Sequence, residues 1–492
     1  MKHTALVVAS IVAALLMIAD RAHAQQVSRP NIVFIFIDDM GYGDIGPFGN
    51  KVNQTPHLDR MADEGNVLRQ FYVSNTACTP SRSALMTGTY AHRIGMDGSV
   101  VFPGQKRGLN PEEITIAEIL RAKGYATGCF GKWHLGDQRE FLPLQQGFDE
   151  YFGIPYSNDM WPLNKRGNPV TRRGPYTPLP VLRQNEAVAY VSDGTDQSLL
   201  CEVVTNEAVK FIKKHRKGPF FLYLPHAYVH GPRYARPENY RKAGGDVNRA
   251  NVEEVDTSVG RVLGTLRELG LEKNTLVIFT SDNGGAGGMS MGPLRGGKGG
   301  PKYEGHMKVP TVTWWPGTIP AGVESAEIAV TADMLPSLAK LAGAKVPDDR
   351  TIDGKDVLDI LLGKPGAKSP HELHYYEVDA IRRGPWKLIR LRGRVELYNL
   401  DEDIGEKNNL AAKHPDRVAE LEKLLADHAR RIAADTRPAA FVEDAKPIIS
   451  EPGKLPRLRE LMGMPKLEGS RGQARPKRKP AAKRARKPAS KP

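Results

Sequence analysis

At 492 residues the chain is long enough for a sizeable core and, at about 100–200 residues per domain, for two or three domains. With 40% hydrophobic and 26% charged residues, its composition points away from a disordered chain and from a multi-span membrane protein. The formal net charge of +14 belongs mostly to one end: from residue 466 onward eleven Lys/Arg face one Glu, and the remainder is close to neutral. Any attraction to polyanions therefore attaches to that tail and not to the fold.

In chain order, residues 1–24 combine Lys2, an apolar run over 5–18 and the small-x-small site Ala22-His23-Ala24. This pattern predicts a secretory signal peptide cleaved after Ala24, an exported protein in the periplasm or outside the cell, and no transmembrane span in the mature chain. The apolar run is shorter than the ~20 residues a span requires. NIVFIFI (31–37) is continuously apolar, as for a strand buried on both faces of a parallel sheet, and ends in Asp38-Asp39. The glycines of DDMGYGDIG then let the backbone fold closely around whatever those carboxylates bind. Thr55-Pro56 reads as an N-cap with proline at the first helical position, followed by Leu58, Met61 and Ala62 on one face.

PFFLYLP (219–225) and TLVIFTSDNGG (275–285) repeat the theme of an apolar run yielding to polar residues. Between them, Val252, Val255, Val259, Val262 and Leu266 mark a helix over 251–269. Strands alternating with helices predict an α/β sheet, whose ligands bind beyond the carboxyl ends of its strands. Beyond about residue 365 the texture changes. LHYYEV, AIRRGPWKLIRL and RVELYNL read as short strands with turn-sized gaps, followed by a helix over 416–435. That predicts a catalytic domain over 27–365, a small antiparallel sheet with one covering helix over 366–440, an extended linker over 441–465 and a disordered basic tail over 466–492.

Paired oxygen donors at strand ends suit a hard divalent cation, so Asp38, Asp39, Asp282 and Asn283 form a candidate metal set for calcium or, second, magnesium, and not zinc. An isolated Asp-Asp pair is more often a cap or a solvated turn, but two pairs at the ends of buried strands point to a metal. The three cysteines, 78, 129 and 201, are too few for a disulfide framework. Cys129 and Cys201 leave open a single bridge or two unpaired residues buried as small hydrophobes.

Around Cys78 the chain reads CTPSRSALMTG, and 124–136 reads GYATGCFGKWHLG. These two segments resemble the first and second signatures of the type I sulfatases, formylglycine-dependent enzymes of the alkaline phosphatase superfamily. Phe130 stands where that family more often has a smaller aliphatic residue. The resemblance covers about residues 30–435 and implies a large mixed, mostly parallel sheet flanked by helices with a smaller C-terminal antiparallel subdomain. It also implies a sulfuric ester hydrolase in which a maturation enzyme oxidises Cys78 to formylglycine.

Carried over residue by residue, it implies calcium at Asp38, Asp39, Asp282, Asn283 and the modified Cys78, with Arg82 and Lys132 as charge-neutralising groups and His134 as the base that expels sulfate. His230, in PHAYVHGPRY, resembles the leaving-group histidine, with His226 as a structural competitor. LRGGKGGPKYEGHMKVP (294–310) resembles the motif whose lysine contacts sulfate. Lys298 is that residue and Lys302 its rival, because one extra residue precedes Tyr303, His306 replaces a glycine and Lys308 stands where arginine is commoner. Ser157, in a segment similar to the arylsulfatase A and galactosamine-6-sulfatase branch, falls on a substrate-contacting serine. A serine before Asn-Asp is also a common turn former.

The implied chemistry is release of sulfate from an aryl sulfate or sulfated carbohydrate through a gem-diol at position 78 and a covalent sulfo-enzyme. Two alternatives stand beside it: a phosphate or phosphonate monoester hydrolase of the same superfamily, and a non-catalytic polyanion-binding exported protein. For an exported chain, the basic tail fits an anionic polysaccharide or cell surface better than nucleic acid. The segment 160–200, where substrate selection is expected, carries no pattern that translates into a sugar.

Overall fold

Seven apolar residues in succession, Asn31–Ile37 (β1), are buried along their whole length, as a strand packed on both faces must be. The computed structural model describes residues 29–163, 176–448 and 452–464. The proposed leader at 1–24 and the basic tail at 466–492 lie outside the described residues.

β1 sits at the centre of a ten-stranded sheet with β2 (Asn66–Leu68), β3 (Ala126–Lys132), β4 (Glu150–Ile154), β5 (Leu179–Arg183), β6 (Glu186–Val191), β7 (Phe220–His226), β8 (Thr275–Ser281), β9 (Thr311–Trp314) and β10 (Val323–Ser325). The spatial order is β10-β2-β9-β8-β1-β7-β3-β4-β5-β6. Strands β8, β1, β7, β3 and β4 run parallel, and antiparallel pairs occur on both sides of this block. Because β1, β7 and β8 pair in parallel with Ile37 level with His226 and Ser281, their carboxyl ends open at one rim. Asp38, Asp282 and the segment leading to His230 are thereby gathered from distant parts of the chain.

Helices cover the sheet: α1 (Pro56–Asp63), α2 (Cys78–Thr87), α3 (Ile116–Ala122), α4 (Leu200–His215), α5 (Val247–Glu268) and α6 (Met334–Leu341). The predicted stripe on α5 is fully buried, each side chain contributing about 1.5–3 kcal/mol relative to exposure. The helix begins a turn earlier than its periodicity suggests, because Asp246 caps it by accepting from the backbone N–H of Asn248 and Arg249. Thr55 does not cap α1. Its hydroxyl donates to Asp59 and accepts from the Gly46 N–H, tying the helix to the loop after β1.

The C-terminal subdomain is an antiparallel meander of β11 (Leu373–Tyr376), β12 (Ala380–Arg383), β13 (Trp386–Leu391) and β14 (Arg394–Asn399). Helix α7 (Pro415–Ala434) covers it through Leu421 and Leu425 packed on Ile381, Leu388 and Leu397. Within 441–465, expected to be an extended linker, Leu458–Leu461 is helical and Tyr190 of β6 pairs with Arg457, so this segment closes the sheet edge. Cys129 and Cys201 are both free and buried. Among the described residues no helix is long and apolar enough to cross a membrane.

Candidate active site

Cys78 opens α2, a helix buried at every position, with Ala77 extended before it. Pro80 is tolerated in the first turn, where no intrahelical N–H is required. Gly88 ends the helix at φ 65°, and a Cβ there would come within 2.9 Å of Leu335. The Cys78 thiol lies between Asp38 Oδ1 at 3.3 Å and Lys298 Nζ at 3.0 Å. Burial, reinforced by Asp38, pushes the thiol far up, so as encoded it is a poor nucleophile.

Around it three carboxylates meet three cations. Lys132 and Arg82 both face Asp38, and Lys132 also donates to Ser157 Oγ at 3.2 Å. Burial alone would raise the Asp38 carboxyl, but Lys132, His230, Arg82 and Lys298 together hold it well below the usual carboxylate range. Arg82 donates from Nε and Nη2 to Asp282 Oδ2 at 3.1 and 2.8 Å and from Nη1 to the Lys132 carbonyl. Its guanidinium therefore orients Asp282 and is spent on the protein itself. Asp282 is pushed up to about 6 by burial and by Asp38.

Asp39, in the left-handed region at φ 62°, accepts from Lys298 Nζ at 2.7 Å and Asn283 Nδ2 at 2.8 Å, and its Oδ2 lies 3.6 Å from His230 Nε2. Donor atoms of Asp38, Asp39, Cys78 and His230 lie within 4.8 Å of one another, the one such group among the described residues. His230 thus adjoins the expected metal set, and Arg82 holds Oδ2 of Asp282. The residues fit a hard cation: Asn283 Oδ1 is buried without a hydrogen-bond partner beside two carboxylates, and replacing the Cys78 sulfur by oxygen makes that donor set richer in oxygen.

The two histidines differ in their free atoms. His134 Nε2 donates to the Val101 carbonyl at 3.1 Å, leaving Nδ1 buried with no partner. Burial, then Lys132 and Arg82, lower His134 well below 6.5, so it is neutral. His230 Nδ1 donates to Asn158 Oδ1 at 3.1 Å, which turns Nε2 toward Asp39. His226 is fully buried on Ser258, away from this cluster. A cavity of about 380 Å³ opens over Cys78, Asp39, His134, Ser157, His230 and Lys298.

Lys302 instead pairs with Glu377 of the C-terminal subdomain, so Lys298 is the lysine at Cys78. Glu377 also takes the Asn75 amide, and Thr76 accepts from Gly299 N–H at 3.0 Å, which joins the turns presenting Cys78 and Lys298. His306 packs under the same loop: Gly296 at φ 107° would place a Cβ 2.4 Å from its ring. Phe130 is buried against Phe211, as expected of a packing difference. Sequence reasoning missed Asn158, Gln197, Arg233 and Glu377. Arg233 lines the cavity while donating to the carbonyls of Val229, Ala286 and Gly287. Asn158 adjoined the singled-out Ser157, and that proximity was the only signal for it.

A family model described as Sulfatase matches residues 30–344. The chain belongs to the sulfatase family. A second model, N-sulphoglucosamine sulphohydrolase, C-terminal, matches residues 301–434 of this sulfatase. Arylsulfatase A of Homo sapiens is 36% identical over 498 residues, spanning 87% of this chain and 94% of that enzyme. N-acetylgalactosamine-6-sulfatase of Canis lupus familiaris is 37% identical over 378 residues, spanning 72% and 69%. A solved structure from work on metabolism of multiple glycosaminoglycans by Bacteroides thetaiotaomicron matches with a TM-score of 0.71 at 28% identity, covering 81% of this chain and 99% of that one. The protein is a sulfuric ester hydrolase acting on sulfate monoesters, of the branch that includes arylsulfatases and N-acetylgalactosamine-6-sulfatases.

Proposed function

We propose that this sulfatase is exported, is matured by oxidation of Cys78 to formylglycine, and removes sulfate from a sulfated carbohydrate with calcium held by Asp38, Asp39, Asp282 and Asn283 and in contact with the modified residue 78. The observation that carries this reading is the placement of Cys78 between Asp38 and Lys298, facing a cavity that two histidines also line. The carbohydrate assignment rests on the N-acetylgalactosamine-6-sulfatase and glycosaminoglycan-metabolism relatives.

Hydrated formylglycine supplies a nucleophilic hydroxyl, and the cation supplies Lewis-acid stabilisation of sulfuryl oxygens. The chain's own residues do the rest. Lys132 and Lys298 place positive charge where sulfate oxygens gather negative charge, and Arg82 keeps Asp282 oriented. Ser157 Oγ, which accepts from Lys132, lines the cavity and offers its hydroxyl to a bound sulfate. His230, as the imidazolium, gives its Nε2 proton to the departing alcohol oxygen and is left neutral with Nδ1–H on Asn158. His134 Nδ1, bare and buried, takes a proton from residue 78 as sulfate leaves. The basic tail holds the exported enzyme near anionic polysaccharide or cell surface.

The test is sulfate release from defined sulfated sugars and from 4-nitrophenyl sulfate, beside the matching phosphate and phosphonate esters. Peptide mass at residue 78 and chelation with calcium or magnesium readdition accompany it. Turnover of sulfate esters with oxidised residue 78 and recovery by calcium supports the reading. Preferential turnover of phosphate or phosphonate esters, or full activity with an unmodified thiol, overturns it.

A further inference from the structure

His230 is held by one side chain, and that side chain heads a chain of buried contacts leading away from the cavity. Asn158 is 1% exposed, and its Nδ2 faces the Pro232 carbonyl and Gln197 Oε1, both at 3.4 Å. A carbonyl accepts only, so the amide is oriented with Oδ1 toward His230 Nδ1. Gln197, also 1% exposed, donates from Nε2 to the Asn158 carbonyl at 2.8 Å and accepts at its own carbonyl from Tyr228 O–H at 3.1 Å. It ends the short helix Gly194–Gln197, whose Asp196 is fully buried.

Asp196 would be an uncompensated buried charge without a partner on another element. That partner is Arg459, donating from Nε to Asp196 Oδ1 at 2.8 Å and pairing through Nη2 with Asp193. Arg459 lies 263 residues further along the chain, in the segment that runs along the edge of β6. Leu458 beside it is fully buried in the core.

We propose that the segment 456–464 is a strap that positions the leaving-group histidine, with Arg459, Gln197 and Asn158 as positioning residues whose contacts hold Nε2 of His230 toward the departing oxygen. This rests on the reading of His230 as the proton donor. If the strap loosens, the 193–197 turn loses its buried cation, the Asn158 carbonyl loses the Gln197 side-chain amide that donates to it, and the ring is free to turn. The loss falls on protonation of the leaving alcohol, not on sulfate binding, which Lys132 and Lys298 carry on other elements. A leaving group that departs readily as an anion is therefore spared.

The experiment uses the full chain and compares 4-nitrophenyl sulfate with a sugar sulfate. In Arg459→Met and Gln197→Met, kcat on the sugar sulfate falls about tenfold, the lower range for outer-shell partners, with KM nearly unchanged and 4-nitrophenyl sulfate turnover largely retained. Shortening the chain after residue 465 leaves both activities in place, whereas shortening it after 451 reproduces Arg459→Met. Thermal midpoints and formylglycine content are measured on each variant. Gln197→Met keeps the ion pair of the strap, so it reads the relay even if Arg459→Met does not fold. Equal loss on both substrates, or no loss on either, in Gln197→Met overturns the strap. His230→Ala separates the two levels: a selective loss on the sugar sulfate supports the proton-donor reading, and an equal loss on both substrates overturns that reading and the strap with it.

Discussion

Two of the buried charge clusters, one at the rim of the central sheet and one under the C-terminal meander, are finished differently. Under the meander, Glu304 Oε1 accepts from Tyr376 O–H at 2.7 Å and Lys387 Nζ at 2.9 Å, and Oε2 accepts from Tyr72 O–H at 2.8 Å and Lys308 Nζ at 2.9 Å. Every lone-pair direction of that carboxylate is used, and the cations hold it well below the usual range against its burial. At the rim, Asn283 Oδ1 and His134 Nδ1 are equally buried but unpartnered, beside a cavity. A carboxylate saturated in this way joins pieces of structure. An unsaturated cluster is a place for a ligand, because an unpaired buried polar atom is costly unless something else completes it.

The first prediction breaks the rim by its chemistry. Cys78→Ser keeps the fold, since both are small and buried in the same helix turn, but lowers steady-state sulfate release by at least about a thousandfold. Activity near the parent level in that variant contradicts the whole scheme. Next, Lys298→Ala lowers kcat/KM by about 10²–10³-fold, as loss of a preorganised charge does. Lys302→Ala acts mainly on the thermal midpoint by leaving buried Glu377 without its lysine, and an activity loss as large as that of Lys298→Ala reverses the assignment.

The meander cluster should answer in the opposite currency. Glu304→Gln leaves Lys387 and Lys308 short of a counter-charge and destabilises by about 3–5 kcal/mol, read as a lower denaturation midpoint. Asp39→Asn abolishes turnover with little loss of midpoint; a midpoint loss as large as that of Glu304→Gln erases the distinction. The smallest effect is a pH dependence. His428, stacked on Tyr375, is lowered to about 4 by burial. It is neutral in the fold but takes a proton near pH 6.5 when unfolded, so the stability it permits is present above about pH 6.5 and is lost as pH falls toward 4. His428→Phe should flatten the midpoint between pH 6.5 and 5 in a calorimetric series; an unchanged slope excludes His428 as its source.

How much of this was legible in the chain follows from range. Runs such as NIVFIFI and TLVIFTS carry their burial in consecutive residues, so β1 was readable to the residue and β8 at its start. Cys78, Arg82, Lys132 and His134 sit in two short segments whose local order places them, and Asp38-Asp39 and Asp282-Asn283 follow strands directly. Boundaries set by caps were less readable: Asp246 starts α5 and Thr55 fails to cap α1 for reasons that lie in side-chain geometry.

By itself, then, the sequence determined the buried strands β1, β7 and β8, the helical stripes and the residue types of the rim, because each depends on neighbours within a few positions. Only the tertiary structure decided which lysine reaches Cys78, which atom of each histidine is free, and that Glu377 and Arg459 support the site from far along the chain. Those outcomes depend on contacts between residues 33 to 302 positions apart. Parallel pairing of β1, β7 and β8 brings such residues to one rim, and no local pattern of charge or hydrophobicity encodes which partner will be met there.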